Sequence, residues 1–178
     1  MTRYVALLRG INVGGHGKVP MKELRVLCEG LGWENPRTLL ASGNLVFDCH
    51  QECQESLSSQ LREAVKEQFE VDTPIVLLEE QEFLKILDDD PIEAEGKRSD
   101  WLTVMFFTQM PSAATIAQAL EQHQGPEIVK FGSRAAYIYF SEGLGRSKLN
   151  LGKAVHEAAR VRNRNTLKKV AELLTDSA

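Results

Sequence analysis

Three observations predict an α+β protein with two ferredoxin-like (βαββαβ-type, α/β plait) subdomains in tandem. The first is the order of hydrophobic patterns over residues 3–78: strand, helix, strand, strand, helix, strand. That order suits an antiparallel sheet with two helices on one face. The second is a polar, acidic break at 88–100 carrying Pro91 and Gly96, which reads as a boundary. The third is the return of strand, helix and hairpin after that break, without residue-level repetition. The predicted division is 1–87, a linker at 88–100, and 101–178 as a second α/β subdomain with basic terminal helices.

Residues 3–9, Arg-Tyr-Val-Ala-Leu-Leu-Arg, read as a buried strand. A glycine-rich connection follows, and Pro20 suits a first helical turn, where its missing N–H costs nothing. Met21, Leu24, Leu27, Cys28 and Leu31 recur at helical spacing, and Gly30 and Gly32 mark the end. Residues 37–47 read as a hairpin turned by Ser42-Gly43-Asn44. Leu57, Leu61, Ala64, Val65 and Phe69 form the next helical stripe. Thr73 to Leu78 is a short strand, and 82–87 a short helix. Trp101 to Thr108 is the next strand, and Ile116, Ala117 and Leu120 suggest a helix. Two strands turn at Gly132-Ser133-Arg134. The pattern shows no closing strand for the second half. It ends in helices over roughly 149–161 and 166–174, with Asn165 as the expected cap of the last.

The 178 residues are 43% hydrophobic and 26% charged, as in ordinary soluble domains. No apolar run approaches a membrane span, and the first residues lack a signal-peptide pattern. The expected location is the cytoplasm, with no membrane partner. Three cysteines, Cys28, Cys49 and Cys53, argue against a disulfide framework. The Asp48-Cys49-His50 and Cys53 cluster lacks a second ligand pair for zinc. Neither a metal nor another cofactor is expected.

Net charge is −4, but it is uneven. Residues 144–170 hold eight Lys/Arg against one acid, whereas 38–143 hold seven against nineteen. Such asymmetry suggests an anionic partner.

The stretch from Arg9 to Met21 concentrates candidate ligand groups: Arg9, Asn12, Gly14, Gly15 and Lys18. Glycines let a ligand approach backbone N–H groups, which suit phosphate at a strand-to-helix turn. Neither the Walker loop nor the dinucleotide fingerprint fits, because Val19 and Pro20 stand at required positions. A tight turn that needs glycine for backbone reasons alone is the alternative. Ser42 and Asn44 would sit beside this loop, since strands 1 and 3 are neighbours in a ferredoxin-like sheet. Their simpler role is the hairpin turn. Arg162, Asn163, Arg164 and Asn165 form a second group, a phosphate clamp of arginines and helix-start amides. Arg160 and Arg162 could equally neutralise carbonyls at the end of the preceding helix. The expectation is that the two groups line one site.

These segments resemble a known family. Arg9-Gly-Ile-Asn-Val-Gly-Gly15, Lys18-Val-Pro-Met21, Leu40-Ala-Ser-Gly-Asn44 and Phe47 are similar to the opening of the bacterial domain-of-unknown-function family numbered 1697. Arg162-Asn-Arg-Asn165 resembles its Thr-Arg-Asn segment before a final helix. Here Val161 stands where that Thr is usual and Thr166 follows the second Asn, so two alignments differ by two residues. The resemblance covers essentially the whole chain. It implies two ferredoxin-like subdomains in a cytosolic bacterial protein, and no activity.

The leading expectation is a protein that binds a phosphate-containing small molecule or single-stranded nucleic acid. A second is an enzyme acting on a nucleotide or sugar phosphate, with His16 as acid or base. A third is an interaction module presenting a sheet edge.

Overall fold

The computed structural model describes residues 1–15, 17–50, 53–93 and 95–175, with the side chains at 154 and 158 left aside. The chain divides into two compact units. One comprises residues 1–85 together with the chain from Lys169 onward, and the other residues 86–168.

In the first unit, β1 (Thr2–Leu8), α1 (Met21–Gly30), β2 (Glu34–Leu39), β3 (Asn44–Cys49), α2 (Gln54–Phe69) and β4 (Ile75–Glu79) follow in order. The sheet order is β2-β3-β1-β4, all antiparallel. This is the ferredoxin-like plait that the order of patterns predicts. Strand β1 lies centrally because its apolar run fits burial on both faces. Tyr4, Ala6 and Leu8 share one face by period-two alternation. They join a core with Leu24 and Cys28 of α1 and Leu57, Leu61 and Val65 of α2. Trp33 stacks on Phe47 at 4.1 Å between ring centroids, an offset aromatic contact that fixes how the α1–β2 connection meets β3. Helix α2 stops at Glu70, which adopts the left-handed conformation with φ 58°.

α3 (Glu80–Asp88) leads to the second unit's β5 (Leu102–Phe107), α4 (Ala113–Gln122), β6 (Ile128–Phe131) and β7 (Ala135–Tyr139). Then come a 3-10 turn (Leu144–Arg146), α5 (Lys153–Ala158), β8 (Ala159–Asn163) and α6 (Arg164–Thr175). The sheet order is β6-β7-β5-β8, again all antiparallel. It is the same plait. Met105, Phe107, Ala136 and Ile138 pack with Ala119 and Val155.

Two expectations change here. The helix expected over 149–161 is only α5, and β8 follows it, pairing with β5 from Phe107↔Ala159 to Thr103↔Asn163. The second plait therefore does have its closing strand. The cap of α6 is Asn163, not Asn165: Asn163 Oδ1 accepts from Thr166 N at 2.8 Å.

The acidic stretch belongs to the second unit and part of it is packed. Ile92 is buried, Asp90 Oδ1 accepts from Ile92 N at 2.9 Å, and Lys130 donates to Pro91 O. Among the described residues no helix is long and apolar enough to cross a membrane. Among the described residues no group of three His, Cys, Asp or Glu is placed to hold a metal. Cys28, Cys49 and Cys53 are free thiols, and burial pushes that of Cys28 up to about 12.

Candidate functional site

The glycine connection leaves β1 through a run of left-handed residues: Gly10, Asn12, Gly14, Gly15 and Gly17 all have φ between 56° and 81°. Asn12 is its hub. Its backbone N–H donates to Gly17 O at 2.9 Å. Its Nδ2 donates to Val19 O and to Ala41 O at 2.9 and 2.8 Å, and its Oδ1 accepts from Val19 N. One amide side chain thus closes the loop on itself and ties it to the 40–43 turn. Asn suits this position because it tolerates left-handed φ and carries both donor and acceptor.

Further contacts hold the two segments together. Leu8 N donates to Gly43 O at 2.9 Å. A Cβ at Gly43 would stand 2.8 Å from both Leu8 Cβ and Ile11 Cδ1, so this turn needs glycine for close approach as well as for φ. Ile11 and Val19 are buried beneath the loop as its apolar anchors. Thr73, from the segment before β4, uses its hydroxyl to bond both Arg9 N and Arg9 O. Asn44 is buried, and its Nδ2 donates to Leu39 O and Ser42 Oγ.

The residues singled out from the sequence therefore fall into two kinds. Asn12, Ser42 and Asn44 shape backbone. Arg9, Gly14, Gly15 and Lys18 are exposed on the outer surface of the loop. Unlike Gly43, Gly14 and Gly15 have nothing within 4 Å of an added Cβ, so the space above them is open. Val13 is 64% exposed and Leu40 52%; both stand in the family motifs, but neither is among the candidate ligand residues. The structural parts missed were Thr73 and Ala41, which lie far along the chain and become partners only through the fold. His16 lies outside the described residues.

The second group of cations lies in the second unit. Arg160 and Arg162 project from β8 opposite Phe106 and Val104. Arg160 is only 2% exposed and donates to Ala159 O at 2.6 Å and Glu157 O at 3.3 Å. It does sit against carbonyls at the end of α5, one of the two roles its position in the sequence allows. Arg162 donates to Val161 O at 2.9 Å, and burial pulls its guanidinium down to about 10. It remains charged at neutral pH. Arg164 Nη2 lies 3.6 Å from Asp90 Oδ2. Asn163 is occupied in capping α6, and Asn165 is exposed in its first turn.

A family model described as a protein of unknown function, DUF1697, matches residues 1–137. A structure of similar fold is that of a conserved bacterial protein, SP0830, from Streptococcus pneumoniae. Its TM-score is 0.80 at 26% sequence identity, over 98% of this chain and 99% of that one. No curated protein matches the sequence.

Proposed function

The chain belongs to the DUF1697 family of proteins of unknown function, and we propose that its paired loops, 9–19 and 40–44, bind a phosphorylated or otherwise anionic ligand. One observation carries this reading. Gly14 and Gly15 are exposed at left-handed φ with open space above them, in a loop that also exposes Arg9 and Lys18. Successive backbone amides in turns can form concavities that suit anions, and Gly14 and Gly15 lie in a turn. The flanking cations add charge-assisted hydrogen bonds. The loop is braced from within by Asn12, so little ordering accompanies binding, which favours affinity. The phosphate would come from a nucleotide-like metabolite or from single-stranded RNA, in a cytosolic bacterial protein.

The test is a thermal-shift and calorimetric screen against inorganic phosphate, nucleotides, sugar phosphates and short single-stranded RNA. A ligand selective for the native state raises Tm by linkage. Lys18→Ala and Arg9→Ala should each weaken the hit on the order of tenfold, the loss of one charge-assisted contact. For RNA, log affinity should fall with log salt by roughly 0.7 per phosphate contacted. Affinity unchanged in both variants would place the ligand elsewhere, and a screen without any hit would remove the reading.

A further inference from the structure

The second unit holds a cavity of about 400 Å³ that none of the sequence motifs touches. It lies between the segment joining α4 to β6 and the segment joining β7 to α5. His123, Gly125, Glu127, Glu142, Arg146 and Lys148 are among its lining residues.

Glu127 is the buried charge of this cavity, its side chain 3% exposed. Its Oε1 accepts a hydrogen bond from the Ser147 hydroxyl. The Ser147 oxygen in turn accepts from Leu149 N at 3.0 Å. Glu127 Oε2 is buried and, among the described residues, has no hydrogen-bond partner. The His123 ring nitrogen Nε2 is 3.8 Å from Oε2, beyond hydrogen-bond range. That nitrogen is engaged at 3.0 Å by the Glu127 carbonyl oxygen. A carbonyl only accepts, so Nε2 carries a proton and directs it there. Gly125 closes the other side: a Cβ at this position would collide with Oε2 and crowd His123 Cε1.

A buried carboxylate oxygen without a donor is costly, and a cationic donor is what relieves it. The outer lining has the opposite character. Arg146 and Lys148 are exposed, with Glu142 beside them. The four charged lining residues, Glu127, Glu142, Arg146 and Lys148, balance in sign. A net anion would meet Glu127, and a simple amine would leave the cations unused. The volume suits a small molecule.

We propose that this cavity binds a small zwitterion of the α-amino-acid class, with its ammonium donating to Glu127 Oε2 and its carboxylate held by Arg146 and Lys148. The His123 ring nitrogen stands 3.8 Å from Oε2, so the ring turns aside and gives up its bond to the Glu127 carbonyl when the ammonium enters. This site shares no residue with the glycine loop, and it stands or falls separately from the anion site proposed there.

The experiment titrates the full-length protein with each of the protein L-amino acids at millimolar concentration. The readouts are the Gly125 amide and the His123 ring resonances by NMR. Any hit is then compared with its matched amine, lacking the carboxylate, and its matched acid, lacking the ammonium. At least one amino acid should shift both signals saturably. The amine and the acid should each bind on the order of tenfold or more weakly, as should the amino acid to Glu127→Gln. Arg146→Ala combined with Lys148→Ala, both at exposed positions, should show the same loss and carries the test if Glu127→Gln does not fold. Lys18→Ala should bind normally. The proposal is overturned if no amino acid moves these signals, if amine or acid binds as well as the amino acid, or if the charge variants bind unchanged.

Discussion

Arg3 holds three oxygens at once. Its Nε and Nη2 reach the two oxygens of Asp48 at 2.7 and 3.1 Å, and its Nη1 donates to Leu174 O at 2.6 Å. Asn35 adds a further donor to Asp48 Oδ2. The Asp48 side chain is only 5% exposed. Burial pushes its carboxyl up, but the hydrogen bonds of Arg3 and Asn35 and the charges of Arg3 and Arg37 outweigh that, and the net displacement is downward. A carboxyl held below its unfolded value near 3.9 stabilises the fold above that pH, and the contribution is lost as pH falls through the folded value. Asp48→Asn should therefore cost about 2–4 kcal/mol at neutral pH, because it leaves the partly buried Arg3 without its counter-charge. The gap between urea titrations of the two proteins should shrink as pH falls through the lowered folded value of Asp48; a gap that stays constant across the acid range would mean that the charge is not what matters. At Asn12 the issue is geometry instead of charge. Asn12→Ala removes bonds to Val19 and Ala41 and places alanine at φ 56°. A loss of about 2–3 kcal/mol in urea unfolding is expected, and the proposed anion site should weaken with it.

At the scale of elements, β8 and the start of α6 make the sharpest case. Asn163→Ala should destabilise by about 1 kcal/mol in urea denaturation, the usual cost of an N-cap, while Asn165→Ala should stay within about 0.5 kcal/mol. The reverse ranking would return the cap to Asn165. The sequence pattern misplaced this cap because it carried helix as far as Val161 and so missed β8. Ala159-Arg-Val-Arg-Asn alternates with period two, but its second face consists of arginines, and Arg160 is buried. A buried arginine gives no hydrophobic signal, so a pattern built on apolar residues passes over the strand. The first plait was readable because β1, β3 and β4 bury apolar residues and its helices show clean stripes. The glycine loop was readable for a different reason. Glycines in that density between a strand and a helix signal a turn that needs positive φ, and Gly10, Gly14, Gly15 and Gly17 have it. The roles of Asn12 and Asn44 were not, because their partners at Ala41 and Leu39 exist only after the hairpin has folded. The cavity around Glu127 was hidden in the same way, since His123, Glu127 and Ser147 come from two loops that carry no motif.

For the whole molecule, the chain order and the unit order differ at the C-terminus. Residues from Lys169 onward follow the second plait in sequence but belong to the first unit. Val170 and Leu174 are buried, and the Leu174 carbonyl accepts a hydrogen bond from Arg3. Both the apolar side chain and the backbone end of α6 are therefore part of the stability of the first plait. Leu174→Ala removes a buried side chain at a cost of about 2–5 kcal/mol. The loss should fall unevenly. Amide exchange by mass spectrometry should show protection in β1, β3 and α2 dropping by more than protection in β5 and β7, because local opening follows the unit whose contacts were removed. The division of units is sequence-discontinuous, so an effect graded by distance along the chain is the contrary outcome. Larger losses in β5 and β7, the strands nearer to residue 174 in sequence, would assign the end of α6 to the second unit instead.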